Sequence, residues 1–227
     1  MKAVSLITLI IFVVASSCSE SKPADKVAIN KTPMQLKEAE MPIDTSASFQ
    51  IETHWVTPDS LFDFNTLLKA GEDTLQLVAC QKYLIEPFGP TETQSQLQSS
   101  LLKGFSMKTK YIKEDNRTFP FVTLSKGNNR LLLYFATDPE ELVQSNIMKG
   151  EINDSSVIFT NGVRIGMSTG DFYNQFFKVF PLALQHRYKT VVFDYCVDDI
   201  KHIYDFKNDK LTSVRFSHPN AGWNLEY

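Results

Sequence analysis

The sequence predicts an α+β fold in which a helix is followed by an antiparallel β-meander. Phenylalanines recur at the spacing of one helix face, at Phe172, Phe176, Phe177 and Phe180. Pro181 would end that helix. Three β-rich segments, TVVFDYCV, IKHIYDFK and KLTSVRFS, come next and are joined by short turns. Hydrophobic residues make up 43% of the chain, which is enough for a buried core.

The same order of elements occurs earlier in the chain, which suggests a duplication. Thr91 and Gln94 have the spacing of a capping box, and Gly104 marks the end of a helix. The segments MKTKYIK, FPFVTLS and NRLLLYFA are then typical of three strands. We therefore expect a first α+β subdomain at residues 49–156 and a second at residues 157–227.

The N-terminus is typical of a secretory signal. An apolar run from Ala3 to Ala15 is too short for a transmembrane helix, and the small residues before Cys18 resemble the lipobox of bacterial lipoproteins. Residues 1–17 are thus predicted to be a signal peptide, and Cys18 a diacylated mature N-terminus. Ordinary cleavage that leaves Cys18 as a free thiol is the alternative. The lipid would anchor the protein in the bacterial cell envelope, at the outer membrane.

Residues 18–48 mix charged, Ser, Thr and Pro residues with apolar residues at no steady period. This composition indicates a flexible tether. About 30 flexible residues have a reach on the order of 30 Å, enough to hold a domain clear of a membrane surface.

Charge and histidine placement argue against several classes of function. The formal net charge is −3 and there is no basic stripe, so we expect no nucleic-acid partner. The four histidines are scattered and lack the spacing of metal ligands. The aspartates near the C-terminus lack the spacing of a calcium loop. We therefore expect no metal and no cofactor.

Cys80 and Cys196 remain once Cys18 is lipidated. The cell envelope permits a disulfide between them. Both lie in apolar, strand-like runs, however, and buried free thiols are also common there. The sequence leaves both outcomes open.

The segment GMSTG, residues 166–170, matches the G-x-S-x-G pattern around the nucleophile of many hydrolases. A nucleophilic Ser168 would need an acid and a histidine, for which the candidates are Asp194, Asp198, Asp199 or Asp205 and His202 or His218. The fold that uses this motif has a parallel sheet with repeated helical crossovers. This chain instead predicts strands joined by tight turns.

A helix cap explains more residues of the same segment. With Ser168 as the N-cap, Asp171 falls at the third helical position and completes a capping box. Met167 and Phe172 then have the spacing of a hydrophobic staple. We therefore expect Ser168 to cap a helix, and we expect the protein not to be an enzyme.

Three segments, VRIGMSTGDFYNQFF, VVFDYCV and IYDFKNDKLTSVRF, carry a family resemblance. Residues 157–217, which contain them, resemble the envelope lipoprotein domains of the BamE/SmpA type and the related β-lactamase inhibitor protein fold. The resemblance implies a binding or assembly role without catalysis, and a duplicated form would be more similar to the inhibitor fold. No binding residue is carried over, because the partner-facing positions vary.

The aromatic content gives a further hint of function, since 17 Phe and 8 Tyr exceed what one helix face can bury. Core packing accounts for most of them, and a binding surface with Trp55, Trp223 and Tyr227 as candidates is the alternative. We predict a noncatalytic envelope lipoprotein that binds a protein partner, in an assembly or inhibitor-like role. A small-ligand or glycan-binding lipoprotein is the alternative, and a serine hydrolase using Ser168 is the minor one.

Overall fold

A computed structural model describes most of the chain after residue 46. The described residues are 47–62, 64–91, 93–114, 117–136, 145–197 and 199–218. They lie in one compact unit, Met41–Tyr227. The predicted signal peptide, Cys18 and all but the last two residues of the predicted tether lie outside the described residues.

The described residues form twelve strands and four short helices. In chain order these are β1 (Phe49–Ile51), β2 (His54–Pro58), β3 (Phe64–Ala70), β4 (Thr74–Ala79), α1 (Lys82–Ile85), α2 (Gln94–Ser99), β5 (Ser106–Glu114), β6 (Arg117–Lys126), β7 (Asn129–Tyr134), β8 (Ile147–Ile152), α3 (Thr169–Tyr173), β9 (Phe177–Val179), α4 (Leu182–Gln185), β10 (Thr190–Tyr195), β11 (Lys201–Lys207) and β12 (Lys210–Ser217).

Two sheets contain these strands. The larger has nine described strands in the order β3-β4-β10-β11-β12-β8-β7-β6-β5, and the smaller has the order β1-β2-β9. In the larger sheet β4 and β10 are parallel, and the other neighbouring pairs are antiparallel. Strands from residues 49–156 and from residues 157–227 therefore share one sheet.

The predicted α+β fold of a helix and a meander, occurring twice, is wrong, because the protein is mostly β. The helices are only four to six residues long. The helix predicted to run to Phe180 ends at Tyr173, and Phe177 lies instead in β9, which pairs with β2. The periodic phenylalanines are buried because they pack together in the core, and this burial does not require one continuous helix.

The cap of α2 also differs from the predicted one. Thr93 is the N-cap, and Gln96 completes the capping box two residues after the predicted pair, Thr91 and Gln94. The sequence TETQSQ contains Thr-x-x-Gln in both positions. Thr91 is buried instead, and its carbonyl accepts a hydrogen bond from the side chain of Asn146.

An aromatic core covers one face of the larger sheet. Phe172 and Phe176, from α3 and the residues just after it, are fully buried. Their rings lie 4.8 Å from Tyr204 on β11 and 4.8 Å from Phe193 on β10, respectively. The four rings join the helical segment to the middle of the sheet.

A disulfide joins Cys80 and Cys196, which directly follow β4 and β10. These strands are parallel neighbours with Ala79 opposite Tyr195. Cys80 and Cys196, the residues that follow, therefore lie side by side. The two Cα atoms are 5.0 Å apart, and the cysteines are separated by 116 residues in sequence. The bridge therefore closes a long loop that contains β5 to β10.

Replacing both Cys80 and Cys196 by Ala should lower the free energy of unfolding by about 2–4 kcal/mol, because the unfolded chain regains the conformations that the bridge removes. Denaturant titration measures the change. In reductant, the denaturant midpoint of the wild type should fall to that of the double variant. The midpoint of the double variant itself should be the same with and without reductant. Two titratable thiols in a denatured, unreduced Cys18→Ser chain would contradict the bridge.

Candidate functional site

The hydroxyl of Ser168 is engaged in the cap of α3. Its Oγ accepts a hydrogen bond from the amide of Asp171 at 3.1 Å and donates one to the Asp171 carboxylate at 2.7 Å. Gly166 makes the turn before the cap with a φ of +88°, a conformation that glycine adopts without strain. Met167 and Phe172 are both buried in the same core. The local geometry is that of a capped helix.

Two of the four candidate acids, Asp194 and Asp205, interact with residues other than Ser168. Asp194 accepts a hydrogen bond from Gln76 and lies 3.0 Å from the Lys201 ammonium. Asp205 binds Arg215 through two hydrogen bonds of 2.8 and 3.1 Å. Asp198 lies outside the described residues. Within the described part of the chain, no hydrogen bond joins Ser168 to a candidate acid or histidine.

A His-Asp pair that the sequence did not predict lies beside the cap. His186 Nδ1 is 2.9 Å from Asp209 Oδ1, and the Asp209 carbonyl accepts the amide of Thr169 at 3.0 Å. Both side chains of the pair are exposed. The pair links the residue that ends α4 to the turn between β11 and β12, and no hydrogen bond of the described residues connects it to Ser168.

Ser168→Ala should destabilise the protein by about 1 kcal/mol, because α3 loses its side-chain cap. Ser168→Asn removes the hydroxyl but keeps a capping group, so it should stay close to the wild-type stability. Denaturant unfolding of the three proteins tests the cap. Ester hydrolysis that is present in the wild type and absent from both variants would instead identify Ser168 as a nucleophile.

His202 belongs to the core. It is only 1% exposed, and its Nδ1 lies 3.2 Å from the Tyr204 hydroxyl, which lies 3.0 Å from that of Tyr83. The pKa of His202 is lowered to about 3, because burial disfavours the charged form. A hydrogen bond with the backbone of Leu84 acts in the opposite direction and is the smaller effect. The geometry therefore fits a neutral structural histidine better than a solvent-accessible base.

Acid should destabilise the protein through His202. The pKa of His202 is about 3 in the folded chain and near 6.5 when unfolded, so the unfolded chain takes up the proton first as the pH falls. Stability that is present above about pH 6.5 should thus decrease, by about 2–3 kcal/mol at pH 4.5. Between about pH 6.5 and 4.5, the free energy of unfolding should decrease less for His202→Gln than for the wild type.

His54→Gln is the control for this measurement, because His54 lies half-buried on β2 in the smaller sheet. The change in acid sensitivity caused by His202→Gln should exceed the change caused by this control substitution. If the free energy of unfolding depended equally on pH in the wild type and in His202→Gln, His202 would not be the neutral core residue assigned above.

The predicted aromatic binding residues are only partly described. Trp55 is half-buried on β2, opposite Gln50 of β1. Trp223 and Tyr227 lie outside the described residues. The structure therefore does not bring the three together within its described part.

β5 forms one edge of the larger sheet, and among the described strands none lies on its outer side. It is nine residues long. Its exposed side chains include Met107, with an exposed fraction of 39%, and Tyr111, with 66%. An edge of this kind presents unpaired backbone N–H and C=O groups to another extended chain.

The β6–β7 hairpin determines the direction of the β5 backbone groups. Gly127 and Asn128 form its two-residue turn, with a φ of +58° at Gly127. Lys126 and Asn129 therefore make the hydrogen-bonded pair that closes the hairpin. Along a strand, successive residues point their backbone N–H and C=O groups to opposite sides. The groups of Ser125, the residue before Lys126, therefore point toward β5.

This alternation continues along β5, because its register with β6 has no interruption. Ser125 is opposite Ser106, so the even-numbered residues of β5 bond to β6. The backbone groups of the odd-numbered residues point outward, at Met107, Thr109, Tyr111 and Lys113. The edge can therefore bind a further strand through four successive outward-facing positions.

An apolar cavity of about 420 Å³ lies at the start of this edge. Its volume falls in the usual range of binding pockets, about 300–1,000 Å³. Leu97, Leu102 and Leu124 in its wall are buried, whereas Met107 is partly exposed. The described residues that line it are Leu97, Leu102, Lys103, Gly104, Phe105, Met107 and Leu124.

Basic side chains surround the cavity and the edge. Lys103, Lys108 and Lys113 are exposed, and within the described residues none of them takes part in an ion pair. Lys126 Nζ lies 5.9 Å from the centre of the Phe105 ring. The edge therefore combines positive charge with an apolar cavity.

The pattern of MKTKYIK predicts a strand but does not by itself predict a binding edge. Alternating lysines are typical of edge strands, since they discourage pairing with identical chains. That signal was available at Lys108 and Lys110. The cavity was not predictable in this way, because α2 and β6 contribute to its wall.

No protein-family model, curated protein or solved structure matches this chain. In the described ranges, no group of three or more His, Cys, Asp or Glu side chains is arranged to hold a metal ion. The helices of the described part are all too short or too polar to cross a membrane.

Proposed function

We propose that this protein is a noncatalytic envelope lipoprotein that binds a protein partner by adding a strand of the partner to β5. The observation that carries the proposal is the exposed, nine-residue edge with its outward backbone groups. Main-chain hydrogen bonds provide affinity in this mode of recognition. An unoccupied edge can also pair with identical chains and cause aggregation, and the lysines of β5 oppose this pairing.

The geometry around Ser168 supports a role without catalysis. The Ser168 hydroxyl makes two hydrogen bonds with Asp171. It donates one to the carboxylate and accepts one from the amide. The buried His202 bonds to Tyr204, another core residue. A hydrolase would need a base within hydrogen-bond reach of the nucleophile.

The membrane part of the proposal comes from the sequence. Cys18 would carry the lipid, and residues 18–48 would act as the tether at the outer membrane. Such a tether lets β5 reach a partner at or near the membrane. The resemblance of residues 157–217 to BamE/SmpA-type domains and the inhibitor fold is consistent with an assembly or inhibitor-like role.

A small-ligand binder is the second candidate, and the cavity beside β5 favours it. Its walls are largely apolar, so they suit an apolar ligand better than a glycan, which needs several hydrogen-bonding groups. Thermal stabilisation by an apolar ligand, without a stoichiometric protein partner, would favour this candidate.

Thr109→Pro should prevent partner binding with little loss of stability. Proline removes the outward N–H of Thr109 but no hydrogen bond to β6, and proline is tolerated at such edge positions. Thr109→Val keeps the N–H and is the matched control. Each full-length protein, isolated from its native membrane after crosslinking, should be analysed for stoichiometric partners by mass spectrometry.

We expect the same partner with the wild type and Thr109→Val, and at least a tenfold lower yield with Thr109→Pro. Thermal unfolding of the three proteins shows whether the fold is retained. Equal recovery with all three proteins would contradict strand addition at β5. The absence of any stoichiometric partner from the wild type would contradict the proposed function itself.

A further inference from the structure

We infer that β5 selects an acidic partner segment that carries one large apolar side chain, and that this side chain enters the cavity lined by Leu97, Leu102, Phe105, Met107 and Leu124. This inference rests on the proposed function, because it assumes that a strand is added to β5. It goes further by assigning a specificity pocket and the chemistry of the segment.

The register of β5 places the cavity in reach of an added strand. Met107 is opposite Leu124, and both line the cavity, so the odd-numbered side chains of β5 lie on the cavity face of the sheet. A new strand would lie about 4.8 Å beyond β5, with every second side chain on that face. One of these side chains would lie over Met107, at the exposed side of the cavity.

The lining favours a large apolar anchor. Leu97, Leu102 and Leu124 are buried in the wall, and Phe105 and Met107 add an aromatic ring and a flexible thioether. Pockets for alternate side chains provide the specificity in strand addition. A Phe or Leu of the partner would bury its surface there, whereas an Ala would leave the cavity unfilled.

The charges define the rest of the segment. Lys108 lies on the face opposite the cavity, whereas Lys113 lies on the cavity face near the far end of the edge. Lys103 belongs to the lining of the cavity itself. Glu or Asp residues beside the anchor and on the opposite face would be attracted to these ammonium groups, and this attraction weakens as salt screens it.

Synthetic peptides test the inference on the full chain in lipid nanodiscs. The probe is the blocked peptide Thr-Glu-Val-Glu-Phe-Glu-Val-Glu-Thr, which has acidic residues on one face and Phe at the centre of the other. Two comparison peptides replace Phe by Ala, or all Glu by Lys. We expect the Phe peptide to bind about tenfold more tightly than the Ala peptide, and the Lys peptide not to bind.

Met107→Gln and Met107→Leu form the matched pair of variants. Both keep the backbone N–H of the edge, but Gln places an amide at the cavity. The preference for Phe over Ala should persist in Met107→Leu and fall to less than threefold in Met107→Gln. Lys108→Glu should weaken binding of the acidic peptide severalfold, and added salt should reduce the difference.

The possible failures are distinguishable. Equal affinity of the wild type for the Phe and Ala peptides, or an unchanged preference in Met107→Gln, would overturn the pocket assignment while strand addition remains. Tight binding of the Lys peptide would overturn the charge assignment. Binding of the Phe peptide that is unaffected by Thr109→Pro would overturn strand addition at β5, and the inference with it.

Discussion

The packing of Phe172 and Phe176 against the central strands holds the helical segment on the middle of the larger sheet. The two rings are fully buried and contact Phe193 of β10 and Tyr204 of β11. Since aromatic burial is the largest favourable contribution per residue in such a core, it holds the middle of the sheet together. The strands that extend the sheet from β12 through β8 to β5 build outward from this centre.

The position of β5 follows from that arrangement. A strand added at the end of an open sheet has a partner on one side only, so half of its backbone groups face away from the protein. In β5 the register assigns these outward groups to the odd-numbered residues, among them Thr109. The proposed function therefore depends on the backbone of an edge strand, and not on a constellation of catalytic side chains.

Charge and shape act together at this edge. Lysines such as Lys108 keep identical chains apart by mutual repulsion, and the same charge favours an acidic partner. Electrostatic attraction is long-ranged but weakly selective for sequence, whereas the cavity beside Met107 can select a side chain by size and polarity. In the proposed complex, their combination would make an open edge both protected and specific.

Features that depend on neighbouring residues could be predicted from the sequence. The cap formed by Ser168 and Asp171 was predictable because its groups lie three residues apart, and the segments of β10, β11 and β12 were recognisable from their composition and their turns. The end of the phenylalanine helix at Tyr173 could not be predicted, because pairing of β9 with β2 overrides the helical spacing. The same holds for the parallel pairing of β4 with β10, the bridge between Cys80 and Cys196, and the position of β5 at the edge. These depend on contacts between residues far apart in the chain, which local periodicity does not encode.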